Sequence, residues 1–141
     1  MTLVAIVDTN QYLVDVFLSK LIVGKNTFRY FDKRPLSVME RHVITLVGLD
    51  DDKNPIAYGH LDKENDTLWL GVAVVDDMQR KGIGSQMVGA LINYAISKNE
   101  PVISLSVDKE NKGAILLYEK FNFVKIDENE QCLFYRQDII L

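Results

Sequence analysis

Short apolar runs separated by polar segments dominate the first half of the chain, and this pattern predicts β-strands. Runs of this kind cover residues 3–7, 43–49 and 56–61. The run at residues 68–75 lacks polar alternation, which indicates a strand buried on both faces at the centre of a sheet. Polar segments at residues 50–55 and 62–66 predict turns that make the strands on either side of them antiparallel neighbours.

Apolar residues recur at helical spacing in other segments. A first helix is predicted to follow Thr9, whose hydroxyl is a suitable N-cap. A second begins after Gly84 and ends by Pro101, because the residue before a proline avoids the helical region. A third is predicted at residues 111–120, and residues 24–41 are typical of a loop followed by a short helix.

The remaining apolar segments complete the predicted sheet. A strand at residues 102–107 follows the second helix, and a crossover of this kind makes the two strands that it joins parallel. Two short strands are predicted at residues 121–126 and 132–136. The order of elements therefore predicts an α/β (α+β) fold with a mixed central sheet, formed by a single domain over residues 1–141.

Composition narrows the range of partners. A net charge of -4, with no basic stripe, argues against nucleic acid, because affinity for a phosphate backbone requires clustered Lys and Arg. The longest apolar stretch is far shorter than the ~20 residues that cross a bilayer, so no membrane span is predicted. Because Cys132 is the only cysteine, we expect the protein to be located in a reducing cytoplasm and to have no metal site. Cys132 itself is expected to be inert and to lie near the far end of the fold.

The most informative segment is Gln79-Arg80-Lys81-Gly82-Ile83-Gly84-Ser85, where a buried strand leads into two glycines at the first turn of a helix. Glycine lets a phosphate approach the backbone, and the free N–H groups of a helix N-terminus form an anion site. A pyrophosphate would fit there. The segment does not match the mononucleotide P-loop, and the third glycine of a dinucleotide-binding loop is replaced by Met87.

The segment resembles the coenzyme A signature of the GNAT acetyltransferase family, Gln/Arg-x-x-Gly-x-Gly/Ala. In that family a later Asn and a Tyr seven residues beyond it lie on the next helix, and here these are Asn111 and Tyr118. The resemblance is clear over residues 56–123 and implies an acetyl-CoA-dependent N-acetyltransferase. It also implies the GNAT fold, with about 6–7 strands and about 4 helices.

The resemblance implies a role for each matched position. Main-chain amides from Lys81 to Ser85 would hold the pyrophosphate, with Gln79 shaping the loop and Arg80 or Lys81 near other phosphates. Asn111 would bond the cofactor arm, unless it is only an N-cap, and Tyr118 would protonate the leaving thiolate, unless it is only a packed tyrosine. The cofactor-binding residues expected are Val72, Ala73, Val74, Gln79, Arg80, Lys81, Gly82, Ile83, Gly84, Ser85, Asn111 and Tyr118.

The base that deprotonates the amine is less evident. Many relatives place a Glu early in the central strand, where this chain has Leu68, Trp69 and Leu70. His60 is the preferred candidate because it lies on the neighbouring strand and titrates in a useful range, although a structural histidine is the simpler alternative. Asp62, Glu64, Asp66, a water chain and an amine of low pKa also remain open.

The acceptor is predicted to be a small molecule. Aromatic and cationic residues alternate in Phe28-Arg29-Tyr30-Phe31, a segment that in the family often walls the acceptor site. Such residues, with Arg34, either fill the core or stack on a sugar or nucleotide-sugar acceptor, because Arg binds phosphate through two bonds. The segment also resembles that of small GNAT proteins encoded with surface-polysaccharide enzymes, and this resemblance implies an amino sugar or a nucleotide-linked amino sugar. The expected substrate-binding residues are Phe28, Arg29, Tyr30, His60 and Trp69. A protein amine, a non-catalytic acyl-CoA-binding module and a homodimer stay open.

Overall fold

The computed structural model describes residues 1–21, 28, 30–31, 34–79 and 81–139. Their strands form one seven-stranded sheet in the order β1-β2-β3-β4-β5-β7-β6. All neighbours are antiparallel except β4 and β5, which are parallel as the predicted crossover requires. The strands are β1 (Thr2–Ala5), β2 (His42–Leu49), β3 (Pro55–Glu64), β4 (Thr67–Val74), β5 (Val102–Asp108), β6 (Val124–Glu128) and β7 (Cys132–Asp138).

The described residues contain three α-helices, against the four or so that the resemblance implied. These are α1 (Tyr12–Ser19), α2 (Ile83–Ser97) and α3 (Lys112–Lys120). Two short 3₁₀ helices, Leu36–Arg41 and Asp76–Met78, precede β2 and follow β4. Within these ranges no helix is both long and apolar enough to span a bilayer.

The start of the chain differs from the prediction. The first strand ends at Ala5, and the N-cap of α1 is Gln11 rather than Thr9. Asn10 explains the early end of the strand, since its side chain accepts a hydrogen bond from the N–H of Val7 at 2.7 Å and donates one to the carbonyl of Ala5 at 3.1 Å. A turn closed by the N–H of Asn10 to the carbonyl of Val7, at 3.2 Å, therefore precedes the helix, and the side chain of Asn10, not that of Thr9, organises it.

The turn predicted at residues 62–66 is much shorter. Strand β3 continues to Glu64, and the turn consists of Asn65 and Asp66, with φ angles of 49° and 65°. Asn and Asp tolerate this left-handed conformation, and two such residues match the twist of a tight hairpin. Asp62 consequently lies inside the strand, where only 3% of it is exposed.

The two faces of β3 have different surroundings. Gly59 faces α2, so closely that a β-carbon there would lie 2.6 Å from the sulfur of Met87. Tyr58, on the opposite face, stacks on Phe17 of α1 with ring centroids 6.0 Å apart. Because side chains alternate along a strand, His60 and Asp62 share the face of Tyr58.

Strands β4 and β5 are joined at a single matched pair, Trp69 with Ser104. Beyond that pair the two strands separate toward their carboxyl ends, while β3 and β4 remain paired as far as Ala57 with Val74. A gap in the sheet therefore lies next to the loop that leads into α2.

The last strands are displaced from the prediction. Strand β6 begins at Val124 rather than at Phe121, which is the C-cap of α3. Asn122 has a φ of 70°, so the chain turns there before it becomes extended. Cys132 is the first residue of β7 and is paired with Asp108, the last residue of β5.

The packing of α2 against the sheet leads to a prediction about the stability of the protein. Leu91 is fully buried in the core. Leu91→Ala should lower the free energy of unfolding by about 2–5 kcal/mol, because it removes buried methyl groups and leaves a cavity. Urea denaturation followed by circular dichroism measures this loss. Leu116→Ala is the control, since Leu116 is 69% exposed and its loss should cost less than about 0.5 kcal/mol. Equal losses would contradict the assigned packing.

Candidate active site

A cleft of about 1050 Å³ lies where β4 and β5 separate. Its walls come from β3 and β4 on one side, from β5 and β7 on the other, and from the first turn of α2, helix α3 and residues before β2. The predicted site residues that line it are Phe28, Tyr30, His60, Trp69, Val72, Ala73, Val74, Gln79, Gly82, Gly84, Ser85, Asn111 and Tyr118. Segments that are far apart in the sequence therefore share one cleft.

Four predicted residues need separate mention. Lys81 and Ile83 are not among the residues that line the cleft, and the side chain of Ile83 is buried in the core, with 6% exposed. The main chain of Ile83 still belongs to the first turn of α2. Arg29 and Arg80 lie outside the residues that the structure describes.

The start of α2 has the geometry of an anion site. Gly82 is its N-cap with a φ of 80°, a conformation that favours glycine, and a β-carbon there would have no atom within 4 Å. The hydrogen bond from Gln86 to the carbonyl of Gly82, at 3.1 Å, is the first i to i−4 bond of the helix. The amides of Ile83, Gly84 and Ser85 precede it, so helix geometry provides them no i−4 partner within α2. A negatively charged group would be stabilised here.

Strand β4 turns main-chain polar groups toward the gap. The N–H of Val75 donates to the carbonyl of Ile56 at 3.0 Å, so the main chain of Val75 is directed toward β3. Main-chain polar groups point alternately to the two sides of a strand, so those of Val74 and Val72 are directed away from β3. The side chain of Gln79 donates to the carbonyl of Val74 at 3.1 Å and ties the glycine loop to β4. Val72 lies past the pair that joins β4 to β5, so its main chain faces the cleft.

Tyr118 contributes from the other wall. It is 5% exposed, packs on Phe123 with ring centroids 6.0 Å apart and lines the cleft. Burial raises the pKa of its hydroxyl above the usual value, so the group stays protonated at neutral pH. The side chain of Asn111 accepts a hydrogen bond from the N–H of Ala114 at 3.2 Å, which confirms it as the N-cap of α3.

His60 lines the same cleft from β3 and is 2% exposed. Its Nδ1 is 2.7 Å from the hydroxyl of Tyr58, which is fully buried and has no other hydrogen-bond partner among the described residues. A buried O–H without an acceptor costs about 1–3 kcal/mol, so the hydroxyl donates to Nδ1 and the ring hydrogen resides on Nε2. Burial, then the nearby His42 and Arg34, lower the pKa of His60 well below its usual value, so the ring is neutral.

Gly71 makes room for the imidazole of His60. The two residues are register partners on β4 and β3. A β-carbon at Gly71 would lie 2.6 Å from Cε1 and 2.7 Å from Nε2 of that ring. Any larger residue here would displace the histidine from the cleft.

A second polar cluster adjoins His60. Tyr30 donates its O–H to Oδ2 of Asp62 at 2.8 Å and lies 2.6 Å from Nε2 of His42, whose Nδ1 is 2.8 Å from the hydroxyl of Thr45. Burial lowers the pKa of His42 to about 4, so this ring is neutral and has one hydrogen. Because the O–H of Tyr30 is used on Asp62, His42 donates from Nε2 and Thr45 donates to Nδ1.

Several cleft residues were not singled out in the sequence. Ser106, Asp108, Cys132 and Phe134 line the wall formed by β5 and β7. Cys132 is therefore not remote from the site, and its sulfur lies 3.6 Å from Oδ1 of Asp108. Tyr58, the partner of His60, was also not singled out, and the alternation of polar side chains in Tyr58-x-His60-x-Asp62 places it on the same strand face as those two candidates.

Nowhere in the residues that the structure describes do three or more His, Cys, Asp or Glu side chains come together as potential metal ligands.

Comparison with known proteins places the fold. The chain matches the model of the acetyltransferase (GNAT) family over residues 11–123. No curated protein sequence matches it significantly. Among solved structures, an N-acetyltransferase from Staphylococcus aureus Mu50 has a TM-score of 0.78 at 15% identity, covering 97% of each chain.

Two further solved structures share the fold. The ribosomal-protein-S18-alanine N-acetyltransferase from Escherichia coli has a TM-score of 0.78 at 20% identity, covering 99% of this chain and 94% of that one. The ribosomal-protein-alanine N-acetyltransferase from Brucella melitensis has a TM-score of 0.79 at 12% identity, covering 99% of this chain and 100% of that one. The family match covers most of the sequence, and with the fold it identifies this chain as a member of the GNAT family, an N-acetyltransferase whose acetyl donor is acetyl-CoA.

Proposed function

We propose that the protein transfers the acetyl group to a primary amine of a small molecule by direct attack, with no covalent enzyme intermediate. The observation that carries this proposal is the cleft itself. It connects the glycine-opened N-terminus of α2 and Tyr118 to an aromatic end that contains His60. The cytoplasmic location and the homodimer stay predictions.

The residues present fit coenzyme A. The space over Gly82 is open, the first amides of α2 suit a diphosphate, and the gap between β4 and β5 leaves the main chain of Val72 free for an extended arm. Acetyl-CoA supplies an acetyl thioester that an amine can attack. We propose that the segment from Gln79 to Ser85, Val72 to Val74, Asn111 and Tyr118 hold it.

Tyr118 is the proposed acid. As the C–N bond forms and the C–S bond breaks, the leaving sulfur needs a proton. The hydroxyl of Tyr118 retains its hydrogen at neutral pH and has no hydrogen-bond partner among the described residues. It is therefore available to donate to a group inside the cleft.

His60 is the proposed residue on the acceptor side. Its Nε2 has no partner among the described residues, and the ring lines the cleft. The predicted role as base requires the opposite tautomer, with the hydrogen on Nδ1 donated to Tyr58. In the tautomer that the hydrogen bonds favour, Nε2 instead donates to the acceptor molecule.

The acceptor end supports a small amine. Phe28, Tyr30 and Trp69 line it, and the guanidinium of Arg34 lies 4.4 Å from the ring centroid of Tyr30. Aromatic faces and a cation suit a sugar ring that bears a phosphate, as in an amino sugar or its nucleotide-linked form. Two proteins of the same fold are ribosomal-protein-alanine N-acetyltransferases, so a peptide amine is the rival acceptor.

The acceptor is tested by thiol release from acetyl-CoA. The panel comprises glucosamine, a nucleotide-linked amino sugar and a peptide that begins with alanine. We expect turnover with the sugars to exceed turnover with the peptide. A preference for the peptide would reverse the acceptor assignment while leaving the donor unchanged.

The anion site is tested by Gly84→Glu. The variant should abolish measurable binding of coenzyme A in isothermal titration calorimetry, because it introduces bulk and negative charge at the first turn of α2. Gly89→Glu is the control on the same helix, since a β-carbon there would meet only Phe121, at 3.9 Å. Circular dichroism checks the fold of both variants. Undiminished binding by Gly84→Glu would refute the assigned site.

The proposed acid is tested by Tyr118→Phe. Turnover should fall about 100-fold, the scale of one general acid, while the dissociation constant of coenzyme A changes little. Tyr135→Phe is the control, because its hydroxyl donates to Glu119 at 2.9 Å and Tyr135 does not line this cleft. Unchanged turnover by Tyr118→Phe would remove the phenol from the mechanism.

The role of His60 is tested by comparing His60→Gln with His60→Leu. If His60 is the base, both variants should lose about 100-fold in turnover, because neither side chain accepts a proton at neutral pH. Retained turnover in the Gln variant alone would show that Nε2 acts as a donor, since an amide N–H replaces it. Steady-state kinetics at saturating acetyl-CoA distinguishes the outcomes.

A further inference from the structure

Asp62 is a carboxylate inside the cleft. It lies on β3 two residues beyond His60, with only 3% of its surface exposed, and it lines the same cavity. Its register partner across the hairpin is Trp69 of β4, which also lines the cavity. A charge this far removed from water is costly to maintain unless it meets donors or an opposite charge.

One oxygen of Asp62 is satisfied and the other is not. Oδ2 accepts the O–H of Tyr30 at 2.8 Å. Oδ1 has no hydrogen-bond partner among the described residues. Oδ1 is also not fully buried. Among the described residues, only Oε1 of Gln137 is a fully buried side-chain polar atom without a hydrogen-bond partner. Oδ1 is therefore accessible from the cleft.

The neighbouring hydrogen bonds determine what Asp62 can do. Thr45 donates a hydrogen bond to His42, His42 donates one to Tyr30, and Tyr30 donates one to Asp62. Oδ2 of Asp62 therefore receives a single O–H from this series. An ionised carboxylate only accepts hydrogen bonds, so Oδ1 presents a lone pair and negative charge. The group that matches it is a cation with N–H donors.

The surrounding charges favour the same ligand. Glu64 also lines the cleft and adds negative charge on the same strand face. Among the described residues, Arg34 forms no ion pair with Asp62; it donates to the carbonyl of Tyr30 at 2.9 Å and lies over the ring of that residue. The aromatic ring of Trp69, the register partner of Asp62, can contact a cation through its face.

We infer that Asp62 binds the acceptor amine in its ammonium form, through Oδ1, and so determines that the enzyme accepts cationic primary amines. The inference rests on the proposed function, because the ammonium is that of the acceptor. Asp62 selects and positions the amine beside His60, and the later loss of the proton is a separate step. Its free oxygen faces the cleft because Tyr30 occupies only the other one.

Binding is measured without turnover. Trp69 is the only tryptophan of the chain, so intrinsic fluorescence reports on this end of the cleft. The protein, saturated with coenzyme A, is titrated with n-butylamine, which is an ammonium at neutral pH, and with 1-butanol, its uncharged analogue. We expect the ammonium to bind at least about 10-fold more tightly than the alcohol, as expected for a largely desolvated charge pair.

Asp62→Asn should abolish this preference, because it removes the charge but retains an oxygen that accepts the O–H of Tyr30. Asp66→Asn is the matched control in the exposed turn and should leave the preference intact. Equal binding of ammonium and alcohol by the unaltered protein would overturn the inference, whether or not the Asn variant folds. So would a preference that survives in Asp62→Asn.

Thiol release from acetyl-CoA, measured on the same unaltered protein with the amine panel, separates the two proposals. A preference for ammonium without thiol release would refute the proposed function and leave the cation site standing. Thiol release without a preference for ammonium would refute the cation site alone.

Discussion

The site depends on the single matched pair that joins β4 to β5. A parallel ladder that continued beyond Trp69 and Ser104 would use the main-chain groups of β4 and close the sheet. Because it does not continue, Val72 directs its polar groups into a gap, and α2 begins at one end of that gap with Gly82 in a left-handed conformation. A carrier of a diphosphate and an extended arm can be held almost entirely by main-chain atoms.

The part of the cleft proposed to hold the acceptor is organised by side chains. There the protein buries polar side chains and satisfies them with one another, in two hydrogen-bonded groups centred on His60 and on Asp62. Each group leaves one polar atom directed to the cleft, an N–H of His60 and an oxygen of Asp62. Burial lowers the pKa of both histidines, so both rings are neutral at physiological pH. Glycine at position 71 is part of this design, because a side chain there would occupy the place of the imidazole.

The order of elements, and the residues proposed to hold the cofactor, could be predicted because their signals are local. The glycine pair 82 and 84 follows an apolar strand and opens a helix, and its meaning depends on neighbours within a few residues. Asn111 and Tyr118 lie seven residues apart on one short helix. The structure places all four on the cleft, as expected. The predictions of the hairpin turn and of the first N-cap were wrong. Asn65 and Asp66 form a left-handed turn, and the side chain of Asn10 stabilises the turn before α1. A pattern of polar residues does not distinguish such turns from longer loops.

By itself, the sequence determined the fold class, the family and the glycine pair that opens α2, since periodicity, capping and glycine spacing act over a few residues. Only the tertiary structure decided the acceptor half. The hydrogen bonds of Asp62 and His60 depend on Tyr30 and His42, which are brought to them from other segments by the hairpin register and the loop before β2. Such contacts are set by packing between distant segments, and no pattern within one segment records which oxygen or nitrogen remains free.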